Sequence, residues 1–215
     1  MSHPFQDHLA NLRETLLRMS TLTDRALSLA IRALVERADR LADEVVSGDG
    51  EIDQLEIEVD EKVVTYMATH GPIARDARLM LAASKISSNL ERIADQATTI
   101  ARRVRALNLE PPLAPLVDIP AMATLAQRML HDAVTAFVEG HYELARDIIP
   151  RDKEVDELNR QVARELRELM MQNPLNVNRA VDLLTIAKAI ERAADHAQNI
   201  AEEVFYLYKG ENISH

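Results

Sequence analysis

The sequence predicts an all-α fold made of two tandem, duplicated three-helix bundles, six helices in all. Three observations lead there. The first is composition: 47% of the 215 residues are hydrophobic, but only 3% are aromatic and only five are glycine. Ala, Leu, Glu and Arg dominate, and these favour helix, whereas β-branched and aromatic residues favour sheet. The second is apolar spacing in alternating steps of three and four, the signature of one buried helix face. The third is repetition. Glu91-Arg92-Ile93-Ala94-Asp95 recurs as Glu191-Arg192-Ala193-Ala194-Asp195, and Asp49-Gly50-Glu51-Ile52-Asp53 is echoed by Asp152-Lys153-Glu154-Val155-Asp156.

The elements follow in order. Leu9, Leu12, Leu16 and Met19 open a first helix expected to run to about Val46 and to break at Gly48-Asp49-Gly50. Ile52, Leu55, Val59, Val63 and Tyr66 carry a second helix, which His70-Gly71-Pro72 ends. Leu79, Ile86, Leu90, Ile93, Ile100 and Val104 carry a third. The stretch from Asn108 through Pro111, Pro112 and Pro115 reads as a linker, because proline lacks the backbone donor a helix needs. It divides the chain into a first repeat at 1–108 and a second at 119–215. In the second repeat a long helix is expected from Ile119 to Ile149, stopped by Pro150. Val155, Leu158, Val162, Leu166 and Leu169 mark the next helix, closed by Asn173-Pro174. Leu183, Ile186, Ile190, Ala193, Ile200, Val204 and Leu207 mark the last.

The repeated acids are the candidate functional residues. Acids four residues apart share one helix face, where like charges repel by about 0.2–0.5 kcal/mol per pair. Four such pairs, two in each half, call for a compensating positive charge, and a bound cation is one. On a helical wheel Glu191, Asp195 and Glu202 fall roughly 160–200° from the apolar stripe, as do Glu91 and Asp95, so they are expected on an outer face. Asp49 and Asp53, and likewise Asp152 and Asp156, flank the stripe of their own helix. Together they could converge on a carboxylate-only site suited to Mg, Mn, Ca or iron. Plainer readings stand beside this one. An acid on an outer face is usually just solvated. Asp49 and Asp152 stand where a helix is expected to begin and could be N-caps. Arg92 and Arg192 could each neutralise an acid of the neighbouring helix.

Other function classes find little support. There is no cysteine, hence no disulfide or thiolate site, and this fits a reducing cytoplasm. The formal net charge of −10 disfavours nucleic acid and anionic lipid. No signal peptide and no run of ~18 apolar residues is apparent, so membrane insertion is not expected. No Glu-x-x-His, Walker A loop, nucleophile elbow or His-Glu-x-x-His occurs. No catalytic residue is nominated. His196 reads as a hydrogen-bonded packing residue, and Met170-Met171 as packing.

Asn89-Leu90-Glu91-Arg92-Ile93-Ala94-Asp95-Gln96-Ala97 and Ile190-Glu191-Arg192-Ala193-Ala194-Asp195-His196-Ala197-Gln198-Asn199-Ile200-Ala201-Glu202 resemble the signature of the PhoU family, as does the ending Glu203-Val204-Phe205-Tyr206-Leu207-Tyr208-Lys209-Gly210. The resemblance spans essentially the whole chain. It implies two similar three-helix bundles whose acidic pairs hold multinuclear metal clusters. Carried over, Asp49, Asp53, Glu91 and Asp95 would form one site, and Asp152, Asp156, Glu191 and Asp195 the other. It implies a cytoplasmic, non-enzymatic regulator that represses the phosphate-starvation response when phosphate is ample. Its partners would be the phosphate ABC transporter with its PstB-type ATPase, and a PhoR-type sensor histidine kinase. Members of the family are often homodimers.

The chain departs from the signature where Ala94 and Ala194 replace a frequent Gly, and where Gln96 replaces the His of the second copy. The tail Asn199-Ile200-Ala201-Glu202 becomes Thr99-Ile100-Ala101-Arg102 in the first copy. With Glu202 near the second set of acids and Arg102 near the first, the second site is expected to bind divalent or trivalent cations more tightly. The reading from a different class is a metal-dependent enzyme or metal-storage bundle that uses the acids directly. The absence of an accompanying base, nucleophile or His ligand favours the adaptor.

Overall fold

A computed structural model describes residues 4–113 and 118–210, all of them helix, turn or short connection. Side chains of residues 4–6 and of residue 75 lie outside the description, and so do linker residues 114–117, Pro115 among them. The described residues form seven α-helices: α1 (Pro4–Glu36), α2 (Asp39–His70), α3 (Ala74–Asn108), α4 (Ile119–Glu139), α5 (Tyr142–Ile148), α6 (Asp152–Gln172) and α7 (Val177–Lys209). A 3-10 turn over Ile149–Arg151 joins α5 to α6. The backbone stays right-handed helical through Ile148, Ile149, Arg151 and Asp152, so α5 and α6 make one kinked rod. There are thus six rods in two sets of three, as expected.

The breaks inside each repeat are not where glycine and proline suggest. The first helix ends at Glu36, not near Val46, and α2 runs straight through Gly48-Asp49-Gly50. The N-cap reading of Asp49 therefore fails: the residue lies mid-helix. In the second repeat the break falls at Gly140, not at Pro150. Pro150 only tightens one turn, because its missing N–H is accommodated in a 3-10 segment.

Both repeats use the same terminator. Arg37 and Gly140 adopt left-handed backbone, at φ 53° and 74°. The next N–H reaches back five residues, Ala38 to the Ala33 carbonyl and His141 to the Ala136 carbonyl, each at 3.0 Å. This is the Schellman closure. Glycine is required at 140, since a Cβ there would lie 3.0 Å from the Tyr208 hydroxyl. In the first repeat Asn108 replaces Tyr208, and Arg37 takes the left-handed position instead. That conformation costs about 1–2 kcal/mol for a residue with a Cβ. The Arg37 guanidinium offsets it by donating to the carbonyls of Leu107, Asn108 and Glu110 at 3.2, 3.1 and 2.6 Å, which caps the end of α3.

Each repeat packs as a three-rod bundle, and the bundles join through α3 and α7, with α1 against α4 beside them. Lys85–Glu203 and Arg103–Asp182 clamp α3 and α7 antiparallel. Midway between these clamps lie Ala94 of α3 and Ala193 and Ala194 of α7, all three buried. Small side chains there let two long helices approach closely, which accounts for Ala94 and Ala194 within the repeated motif. Leu90, Ile93 and Ile100 of α3 and Ile186, Ile190 and Ile200 of α7 belong to one core shared by both halves. Each such side chain contributes roughly 1.5–3 kcal/mol on burial. Among the described residues no helix is long and apolar enough to cross a membrane.

Candidate functional site: two carboxylate crevices

The position of the helix break decides where the acids meet. Because α2 is continuous, Asp49 and Asp53 project from its middle toward α3. Because α5 and α6 form one rod, Asp152 and Asp156 stand at the matching place beside α7. Each acid pair then faces the signature pair of the next rod.

In the first crevice Asp49 interacts with Asp53, Asp95, the Thr98 hydroxyl and Arg102. Glu91 interacts with Asp95, Arg92, Glu56 and Asp53. The structure therefore brings all four expected residues of the first set together and adds Glu56 and Thr98. Burial, reinforced by Asp95, pushes the Glu91 carboxyl up to about 7, against the pull of Arg92. Burial also raises Asp49, opposed by Thr98 and Arg102. Arg92 reaches Glu91 and Asp95 of its own helix, each at 3.5 Å. Among the described residues it pairs with no acid of the neighbouring helix, contrary to one sequence reading.

In the second crevice Asp195 interacts with Glu191, Asp152, Lys188 and Asp156, and Asp152 also feels Glu202. All five expected residues of the second set are thus neighbours. Burial, then repulsion from Glu191 and Asp152, pushes Asp195 up to about 6, with Lys188 opposing. Asp152 is raised by burial and by Asp156, with the neighbouring Asp195 side chain opposing and Glu191 and Glu202 adding to the rise. Asp152 Oδ1 is buried and receives no hydrogen bond. A lone pair left unsatisfied in a crevice of acids suits a hard cation or a proton.

One expectation needs correcting. The helical wheel put Glu191 on an outer face, yet only 7% of it is exposed. A wheel drawn for one three-helix bundle counts one buried stripe. In the folded chain α7 contacts α3, α4, α5 and α6, so more than one face is covered. Glu191 is held by the ammonium of Lys188, at 2.6 Å from Oε1 and 2.5 Å from Oε2. Lys188 was missed in the sequence, although its position three residues before Glu191 was the available signal. Among the described residues Arg192 makes no ion pair with the neighbouring helix, so it does not neutralise the cluster there.

Among the described residues no three of these side chains are arranged to hold a metal ion. The second crevice instead carries its own tethered cation, Lys188. The twofold-equivalent position in the first crevice is Ser88, and the cations there are Arg92, at 3.5 Å from Glu91 and Asp95, and Arg102, which acts on Asp49. His196 Nδ1 lies 3.0 Å from Asn89 Oδ1 and ties α7 to α3, as its packing role requires. Met170 packs on the core, whereas Met171 is exposed.

Comparison with known proteins agrees with this architecture. The PhoU domain matches the chain twice, over residues 16–104 and 119–204. A phosphate-specific transport system accessory protein PhoU homolog of Aquifex aeolicus is 38% identical over 207 residues, covering 96% of this chain and 94% of that one. The corresponding Pseudomonas aeruginosa homolog is 34% identical, covering 100% of this chain and 89% of its own. The crystal structure of PhoU from Pseudomonas aeruginosa superposes with a TM-score of 0.94 at 34% identity, over 96% of this chain and all of that one. The phosphate transport system regulatory protein PhoU from Streptococcus pneumoniae gives 0.92 at 25% identity, over 98% of this chain and all of that one. With its duplicated bundle, its paired acid motifs and these full-length likenesses, the chain belongs to the PhoU family.

Proposed function

We propose that this chain is a non-enzymatic accessory regulator of a phosphate transport system. It works in the cytoplasm and represses the phosphate-starvation response when phosphate is ample. It does so by coupling a phosphate ABC transporter, through its PstB-type ATPase, to a PhoR-type sensor histidine kinase. The observation that carries this reading is likeness over the whole length to proteins named as accessory or regulatory components of phosphate transport. The site chemistry is compatible with it. The acids line crevices between helices and are accompanied by structural, not nucleophilic, neighbours. The net charge of −10 favours protein partners over DNA.

The crevices are proposed to take divalent or trivalent cations such as iron, manganese or magnesium. Asp49, Asp53, Glu91 and Asp95 would hold one, and Asp152, Asp156, Glu191 and Asp195, with Glu202 nearby, the other. The buried, unpartnered Asp152 Oδ1 supports that donor set. A bound ion would supply charge neutralisation. The chain's own residues supply the rest: α6 and α7 present the acids, and Lys188 must yield Glu191.

Deletion of the gene tests the regulatory reading. Phosphate-starvation genes are expected to stay switched on in phosphate-rich medium, and unchanged expression would sink it. Elemental analysis of untagged protein, beside a Glu191→Ala/Asp195→Ala variant, tests the cation reading, and sedimentation tests the expected homodimer.

A further inference from the structure

The junction of α3 and α7 has two faces related by the internal repeat, and they differ. On one face His196 bonds Asn89, and Lys85 pairs with Glu203. On the other face Gln96 stands in place of His196, and it turns back to its own helix through a 3.5 Å bond to the Arg92 carbonyl. A groove of about 330 Å³ remains open there, with Leu184 and Ala189 among its lining.

The groove's polar lining is Gln96, Thr99, Thr185, Lys188 and Arg192, with no carboxylate among the lining residues. That is unusual in a chain with 35 acids against 25 basic residues. Among the described residues the Arg192 guanidinium and the Thr99 hydroxyl make no hydrogen bond or ion pair, so their donors are free. Lys188 stands at the rim, 50% exposed, with its ammonium on Glu191. Two cations, free donors and a partly apolar wall favour an anion with several oxygens. A planar guanidinium recognises two of these at once.

We propose that this groove binds a phosphate-type oxyanion, either free or as the phosphoryl group of a larger ligand. Arg192 is the bidentate anchor and Thr99 a hydroxyl donor. Lys188 is shared between the anion and Glu191. Occupancy of the groove therefore competes with the Lys188–Glu191 pair. The site itself needs no metal in the crevice.

Isothermal titration of the full chain tests this in EDTA buffer, at ionic strength held constant with chloride. Inorganic phosphate and phenyl phosphate are the probes. Saturable binding of at least one is expected, and preference for phenyl phosphate would identify the larger ligand as the source. Arg192→Ala is expected to weaken binding about tenfold or more, the usual value of a charge-assisted pair. Arg92→Ala, on the twofold-related face, is expected to change it less than twofold. Glu191→Gln releases Lys188 and is expected to tighten binding by roughly threefold, within the range of an ordinary hydrogen bond. Thermal melts confirm that each variant is folded, and Arg192 is exposed, so its removal leaves the core intact. No saturable binding of either probe, or equal affinity in Arg192→Ala, overturns the proposal.

Discussion

Lys188→Ala isolates the electrostatics of the second crevice. The substitution removes the ammonium that lies 2.5–2.6 Å from both oxygens of Glu191. Glu191 is 7% exposed and cannot turn to water, and Asp195 and Asp152 lie beside it. Breaking a fully buried ion pair from one side costs about 3–5 kcal/mol. Lys188 is itself half exposed, and solvent screens its share, which brings the expected loss at pH 7 to roughly 1–3 kcal/mol. For a chain of this size that lowers the melting temperature by about 2–12 °C. Melts followed by circular dichroism in EDTA measure it. Two further arms separate electrostatics from packing. Lys188→Ala/Glu191→Gln removes the stranded charge and is expected to recover most of the loss. Millimolar manganese is expected to raise the melting temperature of Lys188→Ala more than that of the parent, because a free cation takes the tethered one's place. If Lys188→Ala melts like the parent, or gains nothing from either arm, then Lys188 is not the crevice's counter-ion and the reasoning fails.

Other outcomes follow from the same geometry. Glu91 carries a folded pKa of about 7 against an ordinary 4.5, so the folded state binds the extra proton and stability falls as pH rises through that window. Its side chain is 16% exposed, and solvent screening reduces the ideal ~3 kcal/mol to about 1–2. Glu91→Gln should therefore stabilise the protein by that amount at pH 8 and by nothing at pH 4; a gain equal at both pH values would refute the electrostatic origin. Gly50→Ala should stabilise by about 1 kcal/mol in urea denaturation, since the position is inside α2 and a Cβ there meets nothing within 4 Å. A loss would mean that α2 is not continuous there. Arg37→Ala should destabilise by roughly 1–2 kcal/mol by uncapping α3, and Arg37→Gly by about 1 kcal/mol less, because glycine accepts the left-handed backbone. Equal losses would remove strain from the account. In competition titrations on single-site variants, Arg102→Glu should tighten cation binding at the first crevice and Glu202→Arg should weaken it at the second. Unchanged affinities would show that these neighbours do not rank the sites.

The sequence by itself determined the helical class, the duplication and the residues that meet. Period and composition are local properties, and repetition is visible without a fold: Asp49 and Glu91 stand out because they recur, each with its acid four residues on, as Asp152 and Glu191. Tertiary structure decided three things the string could not. It placed the break between the first two rods at Arg37, a residue with no turn signal, because three carbonyls at the end of α3 and just beyond it, about 70 residues away, reward the strained backbone. It kept Gly48, Gly50 and Pro150 inside rods, because packing on the neighbouring helices outweighs about 1 kcal/mol per glycine, and a 3-10 turn accommodates the proline. It buried Glu191, because α7 is enclosed by both bundles and a wheel knows only one. Propensity and period are summed over neighbours in sequence. Enclosure, and the counter-charge it demands, depend on which helices arrive from elsewhere.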